Sequence, residues 1–384
     1  MFRAKKSLGQ NFLKSEKILD KIIETADLKT GDIVLEVGPG QGILTKKLLE
    51  KAGKVIAVEK DNRLIGSLQN KFADEIKKGK LEIISADILD LKINSEGIYY
   101  FLDRFVPRED DNKASRDEKL CFSSLDDYKA SVGVKQSFSS LREVKRSPKQ
   151  ILKQFEWASE MTKPHLQVVK QSRNLKENII LNTKYKIVAN IPYYITGQFL
   201  RKFLSADFQP SKIVVMLQKE VAQRICSGNS LGNAIPKYLG IAFPSEFPSK
   251  ESILSLSVKT YGKPQYIATV KAENFSPQPK VDSAILLIDD ISKDFFKNID
   301  ENVFFQLVRA GFSSKRKMLI NNLFTSFSTQ IKKTKSAEVE PPQISKENLT
   351  HIFEKLGISL KTRAEDLNLK DWRALCMAGL FDHP

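Results

Sequence analysis

The stretch Ile33-Val34-Leu35-Glu36-Val37-Gly38-Pro39-Gly40-Gln41-Gly42 constrains the fold more than any other. Its leading residues form a short apolar run, as expected of a strand buried on both faces. Glycines at alternate positions then turn the backbone, and Ile43 to Leu49 begins an amphipathic helix behind them. That order brings backbone N–H groups and the positive end of a helix to one point, which a ligand can approach closely. The spacing is Gly-x-Gly-x-Gly rather than the Gly-x-Gly-x-x-Gly of dinucleotide binders, and one such loop by itself says little.

Two further strands add to it. Lys54-Val55-Ile56-Ala57-Val58 ends in Glu59, roughly twenty residues past the loop, where an acidic residue can accept both hydroxyls of a ribose. Leu81-Glu82-Ile83-Ile84 is followed by Ala86-Asp87-Ile88, and Asp87 there can accept the amino group of an adenine. A lone carboxylate at a strand end is more commonly a helix cap or a solvated charge. Two of them at these offsets from one glycine loop favour a bound nucleoside. Residues 32–91 thus read as three strands and two helices, the first half of a doubly wound α/β sheet.

Further on, Tyr185-Lys186-Ile187-Val188-Ala189 reads as another buried strand, running into Asn190-Ile191-Pro192-Tyr193. Pro192 has no N–H and ends the pairing. The exocyclic amine of a nucleobase is a poor nucleophile because its lone pair is delocalised into the ring. The Asn190 side-chain oxygen and the Ile191 carbonyl can accept its two N–H bonds and favour a pyramidal nitrogen. Tyr193 can stack on the base, a contact worth roughly 1–3 kcal/mol. Alone, the tetrapeptide fits an ordinary strand-to-loop turn equally well.

Taken together, Ser7-Leu8-Gly9-Gln10-Asn11-Phe12-Leu13, Glu36-Val37-Gly38-Pro39-Gly40, Glu59, Asp87, Asn190-Ile191-Pro192-Tyr193 and Phe275-Ser276-Pro277-Gln278-Pro279-Lys280-Val281-Asp282-Ser283 occur in one order. In that order the chain resembles the ribosomal RNA small-subunit adenine N6,N6-dimethyltransferases, which use S-adenosylmethionine. The resemblance implies a Rossmann-like seven-stranded sheet over 1–292 and a small helical RNA-binding domain over 293–384. It implies that the basic N-terminal stretch folds over the cofactor, with Asn11 and Leu13 as binding positions. Gly38 and Gly40 would line its methionine side, Glu59 the ribose and Asp87 the adenine, with Asn190 beside them. The implied reaction is in-line attack of adenine N6 on the methyl group, giving N6,N6-dimethyladenine at two adjacent adenines near the 3′ end of small-subunit (16S) rRNA. Asn190, Ile191 and Pro192 would orient the amine, with Tyr193 and Phe275 as the two walls around a flipped base. Pro277 and Pro279 within that last segment stiffen the loop that presents Phe275. No metal and no strong base is called for, and none of the three histidines lies near a motif.

The 62 Lys+Arg against 46 Asp+Glu give a net charge of +16, which suits a polyanionic partner, since neutralised phosphates release counterions. A solvated basic surface is the bland alternative. Lys280 and the run Lys315-Arg316-Lys317 are the candidates for gripping RNA, the run on a helix surface. The expected partner is small-subunit rRNA or an assembling small ribosomal subunit. Cys121, Cys226 and Cys376 lie too far apart for a disulfide framework or a zinc spacing, which fits a reducing cytoplasm; the expected state there is a monomer. No apolar run is long enough to span a membrane, and the N-terminus has no signal-peptide core.

Between about Ile93 and Thr183 the resemblance lapses. This Lys-, Ser-, Asp- and Arg-rich stretch, with a helix-like piece from Pro148 to Met161, reads as an inserted subdomain or a surface excursion. Thr196 to Leu204 reads as a helix, Ile213 to Leu217 as a fifth strand, and Gln265 to Lys271 with Ala284 to Ile288 as the last two. Ser252 to Tyr261 alternates like a strand, whereas the resemblance makes it a helix. Thr329 to Lys346 reads as a loop. Rival functions are the large-subunit rRNA adenine methylase of the macrolide-resistance type, a non-catalytic nucleic-acid-binding homologue and a small-molecule methyltransferase. The Phe275 to Ser283 loop and the helical tail disfavour the first, the intact acidic positions the second, and the charge the third.

Overall fold

In the run from Ile33 to Val37 successive side chains point to opposite faces. Leu35 and Val37 pack in one apolar cluster with Ile187 and Ile213, and Val34 in the other with Leu48 and Leu64. A strand apolar on both faces belongs in the middle of a sheet covered on both sides. The computed structural model describes residues 4–5, 8–94, 97–100, 178–181, 183–227, 250–333 and 345–378.

The strands in chain order are β1 (Phe12–Leu13), β2 (Ile33–Val37), β3 (Lys54–Glu59), β4 (Leu81–Ser85), β5 (Lys92–Asn94), β6 (Gly97–Tyr100), β7 (Asn178–Leu181), β8 (Lys186–Asn190), β9 (Lys212–Gln218), β10 (Lys263–Val270), β11 (Phe275–Ser276) and β12 (Ser283–Asp289). Seven of them form the central sheet, in the order β10-β12-β9-β8-β2-β3-β4. From β9 to β4 neighbouring strands are parallel, while β12 runs antiparallel to both β9 and β10. The order reverses between β2 and β8, and open sheets of this kind bind ligands at that point, outside the carboxyl ends of the strands.

The helices on the sheet follow the apolar spacing. Helix α1 (Glu16–Ala26) buries Leu19, Ile22 and Ala26; full burial of each larger side chain contributes about 1.5–3 kcal/mol. It starts after Ser15, which makes no side-chain cap bond, and stops at Asp27 in the left-handed region. Helix α2 is Ile43–Lys51, and two helices rather than one fill the β3–β4 crossover: α3 (Asn62–Lys71) and the short α4 (Ala73–Lys77). Helices α5 (Thr196–Leu204) and α6 (Lys219–Ile225) follow β8 and β9. The alternating stretch from Ser252 folds as helix α7 (Ile253–Lys259), as the resemblance implied. Ser252 and Ser255 form a reciprocal capping box, and Ser255, Leu256 and Val258 are buried.

Helices α8 (Glu301–Gly311), α9 (Leu319–Lys333), α10 (Lys346–Lys355) and α11 (Leu369–Met377) enclose their own core of Phe304, Leu307, Leu323, Phe353 and Trp372. Leu256 of α7 joins that core. Helix α9 runs into the stretch read as a loop from Thr329. The basic run Lys315 to Lys317 lies on the exposed turn between α8 and α9, not on a helix surface as expected. Asn322 shapes that turn by donating through Nδ2 to the carbonyls of Gly311 and Ser314.

Strands β5, β6 and β7 make a separate three-stranded sheet, so the chain leaves and re-enters the body at strands of one sheet. The helix expected from Pro148 to Met161 lies outside the described residues.

Candidate active site

Every polar group singled out along the sheet sits where a parallel strand ends. β2 ends before Gly38, β3 at Glu59, β4 just before Asp87, and β8 at Asn190. These four residues line one cleft together with Leu8 to Phe12, Gly40, Lys60, Ala86, Ile88 and Ile191 to Ile195. Its open volume is about 770 Å³, solvent at the mouth included.

The glycine turn is shaped by what lies against it. Gly40 has φ +59°, and a Cβ there would stand 3.0 Å from the Phe12 ring. At Gly42, with φ +73°, a Cβ would stand 2.5 Å from the Phe72 ring. Both positions therefore demand glycine on backbone and steric grounds. The Gly40 N–H donates to Glu59 Oε2 at 3.1 Å, and the Asp61 N–H donates to Glu59 Oε1 at 2.8 Å. Glu59 is only 5% exposed. Burial pushes its carboxyl above the ordinary range, and the two N–H bonds offset only part of that.

Asp87 accepts from the Lys60 ammonium at 2.6 Å and from the Leu89 N–H at 2.9 Å. Burial works to raise its carboxyl, but the Lys60 charge and the Leu89 N–H outweigh it and hold the group below its usual value. Asn190 Nδ2 donates to the Asn11 carbonyl at 3.1 Å, which turns its Oδ1 into the acceptor left over. Among the described residues the Ile191 carbonyl accepts no hydrogen bond. The Pro192 carbonyl closes a tight turn with the Ile195 N–H. Tyr193 shares a 2.6 Å hydrogen bond with Ser283 at the start of β12, which anchors the hydroxyl end of its ring.

The N-terminal arm closes the remaining side. Strand β1 pairs antiparallel with β11, Phe12 opposite Ser276 and Leu13 opposite Phe275. Gln10 donates to Asp61 at 2.8 Å, and the Lys5 N–H donates to Gln10 Oε1. Arg63 grips Asp61 with two nitrogens, and this guanidinium above all holds the Asp61 carboxyl down at about 2. Asn11 thus faces the cleft. Leu13 instead lines a smaller adjoining cavity that shares Phe12, Gly38, Gly40 and Asn190 with it.

Phe275 is corrected. It was expected to wall the cleft opposite Tyr193, but its ring is 2% exposed and packs in the core with Leu13 and Ile285. The pairing of β11 with β1 turns that side chain inward. Lys280, Lys315, Arg316 and Lys317 are exposed, make no ion pair with the described residues, and lie away from the cleft lining. Phe12, Gln10, Lys60 and Tyr194 line the cleft without having been singled out, and the last is 60% exposed. Each adjoins a residue that was singled out, which was the signal to be had.

Comparison with known proteins gives the same picture. Residues 1–235 and 244–356 match the family described as ribosomal RNA adenine dimethylase. The chain is 32% identical over 377 residues to the ribosomal RNA small subunit methyltransferase A of Dehalococcoides mccartyi, covering 98% of this chain and 88% of that protein. The crystal structure of a dimethyladenosine transferase from Plasmodium falciparum superposes with a TM-score of 0.54 at 23% identity, over 95% of this chain and 96% of that one. That of the 23S rRNA methyltransferase ErmE does so with 0.51 at 18% identity, over 96% and 99%. The two structures share the fold, and the matched family, running from the N-terminal arm into the helical tail, carries the assignment: the chain belongs to the ribosomal RNA adenine dimethylase family.

Proposed function

We propose that the cleft seats S-adenosylmethionine beside an adenine of small-subunit ribosomal RNA, and that Asn190 and the Ile191 carbonyl hold the adenine N6 for methylation. As a member of its family the protein is an rRNA adenine dimethyltransferase that uses this donor. The residues fit the donor. Buried Glu59 offers carboxylate oxygens for a ribose, Asp87 accepts from an adenine amine, and the bare backbone at Gly40 admits close approach. When bound, S-adenosylmethionine supplies an electrophilic methyl group on a sulfonium.

The chain's own residues position the amine. Asn190 spends Nδ2 on the arm, so Oδ1 faces its task as an acceptor, and the unpaired Ile191 carbonyl provides the second. Two acceptors at one strand tip draw both N–H bonds of the amine to one side and free its lone pair. Tyr193, held by Ser283, supplies one flat wall. With Phe275 in the core, the exposed Tyr194 is a further aromatic ring at the cleft, along with Phe12. Catalysis then comes mainly from orientation.

The observation that carries this reading is that Asn190, Glu59 and Asp87 line one cleft at the switch point of the sheet. The exposed turn at Lys315 to Lys317 and Lys280 supply contacts to phosphates, and the product is N6,N6-dimethyladenine at adjacent adenines near the 3′ end of the 16S rRNA. Cytoplasmic action as a monomer completes the proposal; among the described residues no helix is long and apolar enough to cross a membrane. Incubation with labelled donor and unmethylated small subunits tests it. Label is expected in small-subunit adenine N6; label in large-subunit rRNA, or none, overturns the assignment.

A further inference from the structure

Three successive residues after Pro192 point three ways. Tyr193–Ile195 makes a single 3-10 turn, closed by the Ile195 N–H on the Pro192 carbonyl. Such a turn holds three residues, so neighbouring side chains diverge by about 120°. Ile195 enters the core of the sheet, and Tyr193 reaches Ser283 at the start of β12. Tyr194 goes to the arm instead. A Cβ built on Gly9 would stand 3.4 Å from Cδ1 and Cε1 of its ring, and Gly9, at φ +60°, brings bare backbone against that edge. The next arm residue, Gln10, is fastened to Asp61 just past β3. In the sheet, β12 and β3 lie on opposite sides of β8, so the two tyrosines lean away from each other across the tip that carries Asn190.

Supported on one edge, the Tyr194 ring is otherwise open. At 60% it is the most exposed large apolar side chain among the described residues, and it stands at the rim of the cleft. Glu59, expected to meet the donor, is 5% exposed by contrast. A base stacked on Tyr193 leaves most of the Tyr194 ring uncovered, because the two diverge. An RNA strand that sends one base down to Asn190 lays the adjoining nucleotides across this rim. An aromatic face there can stack any base, since every base has a π-face. We infer that Tyr194 is the platform for the nucleobase next to the target adenine, holding the strand in register while its neighbour is turned into the cleft. The inference rests on the reading of the cleft as the site of rRNA adenine methylation. It also suits a product with two modified adenines in a row. Once the first is finished the strand shifts by one nucleotide, and a ring indifferent to base identity accepts whichever base then falls on it.

Labelled methyl transfer by the full chain, followed against the concentration of unmethylated small subunits, separates KM from kcat. Tyr194→Ala should raise KM for the subunits by roughly five- to a hundredfold, the range that one lost base–aromatic stack gives, with kcat little changed. Tyr194→Phe and Tyr194→Trp keep a flat ring and should stay near the parent. Donor affinity by calorimetry should be the same in all four proteins. The decisive substrates are subunits reconstituted with rRNA that carries one target adenine and an abasic nucleotide on its 5′ side, its 3′ side or neither. On one of the two abasic substrates the parent's KM should rise to that of Tyr194→Ala, and the substitution should add nothing further. A penalty for Tyr194→Ala that is equal on all three substrates would place the ring against the target base or the arm and overturn the inference. A parallel loss of donor affinity would assign the ring to the donor and overturn it too. Either result leaves the methylation reading intact, whereas a parent that labels none of the small subunits overturns both.

Discussion

Replacing Glu36 by glutamine should change how stability depends on pH, by an amount that follows from burial. In the unfolded chain the carboxyl titrates at the ordinary 4.5; in the fold, at 1% exposure, burial carries it to about 8. Between those values the folded state holds a proton that the unfolded state has lost. Stability from this group is therefore fully present below about pH 4.5 and drains away as pH rises to about 8, at about 1.36 kcal/mol per pH unit. From about pH 5.5 to 7.5 the loss is about 2.7 kcal/mol. Glutamine does not titrate, so the variant escapes that loss. Its amide brings its own unsatisfied groups, a penalty of about 1–3 kcal/mol. That penalty does not vary with pH and cancels in the comparison. Urea unfolding of both proteins across this range, followed by circular dichroism, reads the difference directly. The variant should gain on the parent by about 2–3 kcal/mol between the two ends. Parallel pH profiles would show that Glu36 is ionised in the fold and would refute the reasoning.

Asn190→Ala should lower labelled methyl transfer by about a hundredfold or more, the scale set by lost positioning, while donor affinity measured by calorimetry changes little. Equal losses in both would mark the residue as structural. Glu59→Ala removes a charged acceptor worth roughly 1.5–3 kcal/mol, so donor binding should weaken by roughly ten- to a hundredfold; unchanged affinity would sink the ribose assignment. Binding of rRNA should weaken steeply with salt. Alanine at Lys315, Arg316 and Lys317 together should reduce the slope of log affinity against log salt by about 2–3, and an unaltered slope would take that turn out of the RNA interface.

What the sequence made legible was the sheet and its polar strand ends. A parallel strand covered on both faces must be apolar along its length, so a carboxylate or an amide directly after it, as at Glu59 and Asn190, announces the end and the cleft at once. Contacts between distant segments were not legible. β1 and β11 are two residues each, too short for any periodicity, and only their pairing shows that Phe275 turns inward. Proline spacing argued that the loop is stiff but could not say which way it faces. The alternation from Ser252 to Tyr261 was misleading because the Ser252–Ser255 capping box and the burial of Leu256 and Val258 outweigh a local pattern. The run Lys315 to Lys317 looked helical because both neighbours are; Asn322, reaching back to Gly311 and Ser314, holds it as a turn.

The arm makes these separate strand ends one device. Each of β2, β3, β4 and β8 brings a single group to the switch point, and a sheet fixes their spacing but not the orientation of their side chains. The arm adds that through a few polar links. Gln10 fastens it to Asp61, whose own N–H holds Glu59; Asn11 takes up the Asn190 amide; Lys14 donates to Asn274 beside β11. Phe12, meanwhile, lies over Gly40, its ring 3.0 Å from where a Cβ would stand. The group expected to orient the adenine amine and the group expected to hold the ribose are therefore secured to the same short segment. Loosening that segment should disturb donor binding and amine positioning together, which neither strand end would do alone. A glycine turn, an acidic strand end and an Asn-Ile-Pro-Tyr turn act as one site because a stretch outside the central sheet ties them to each other.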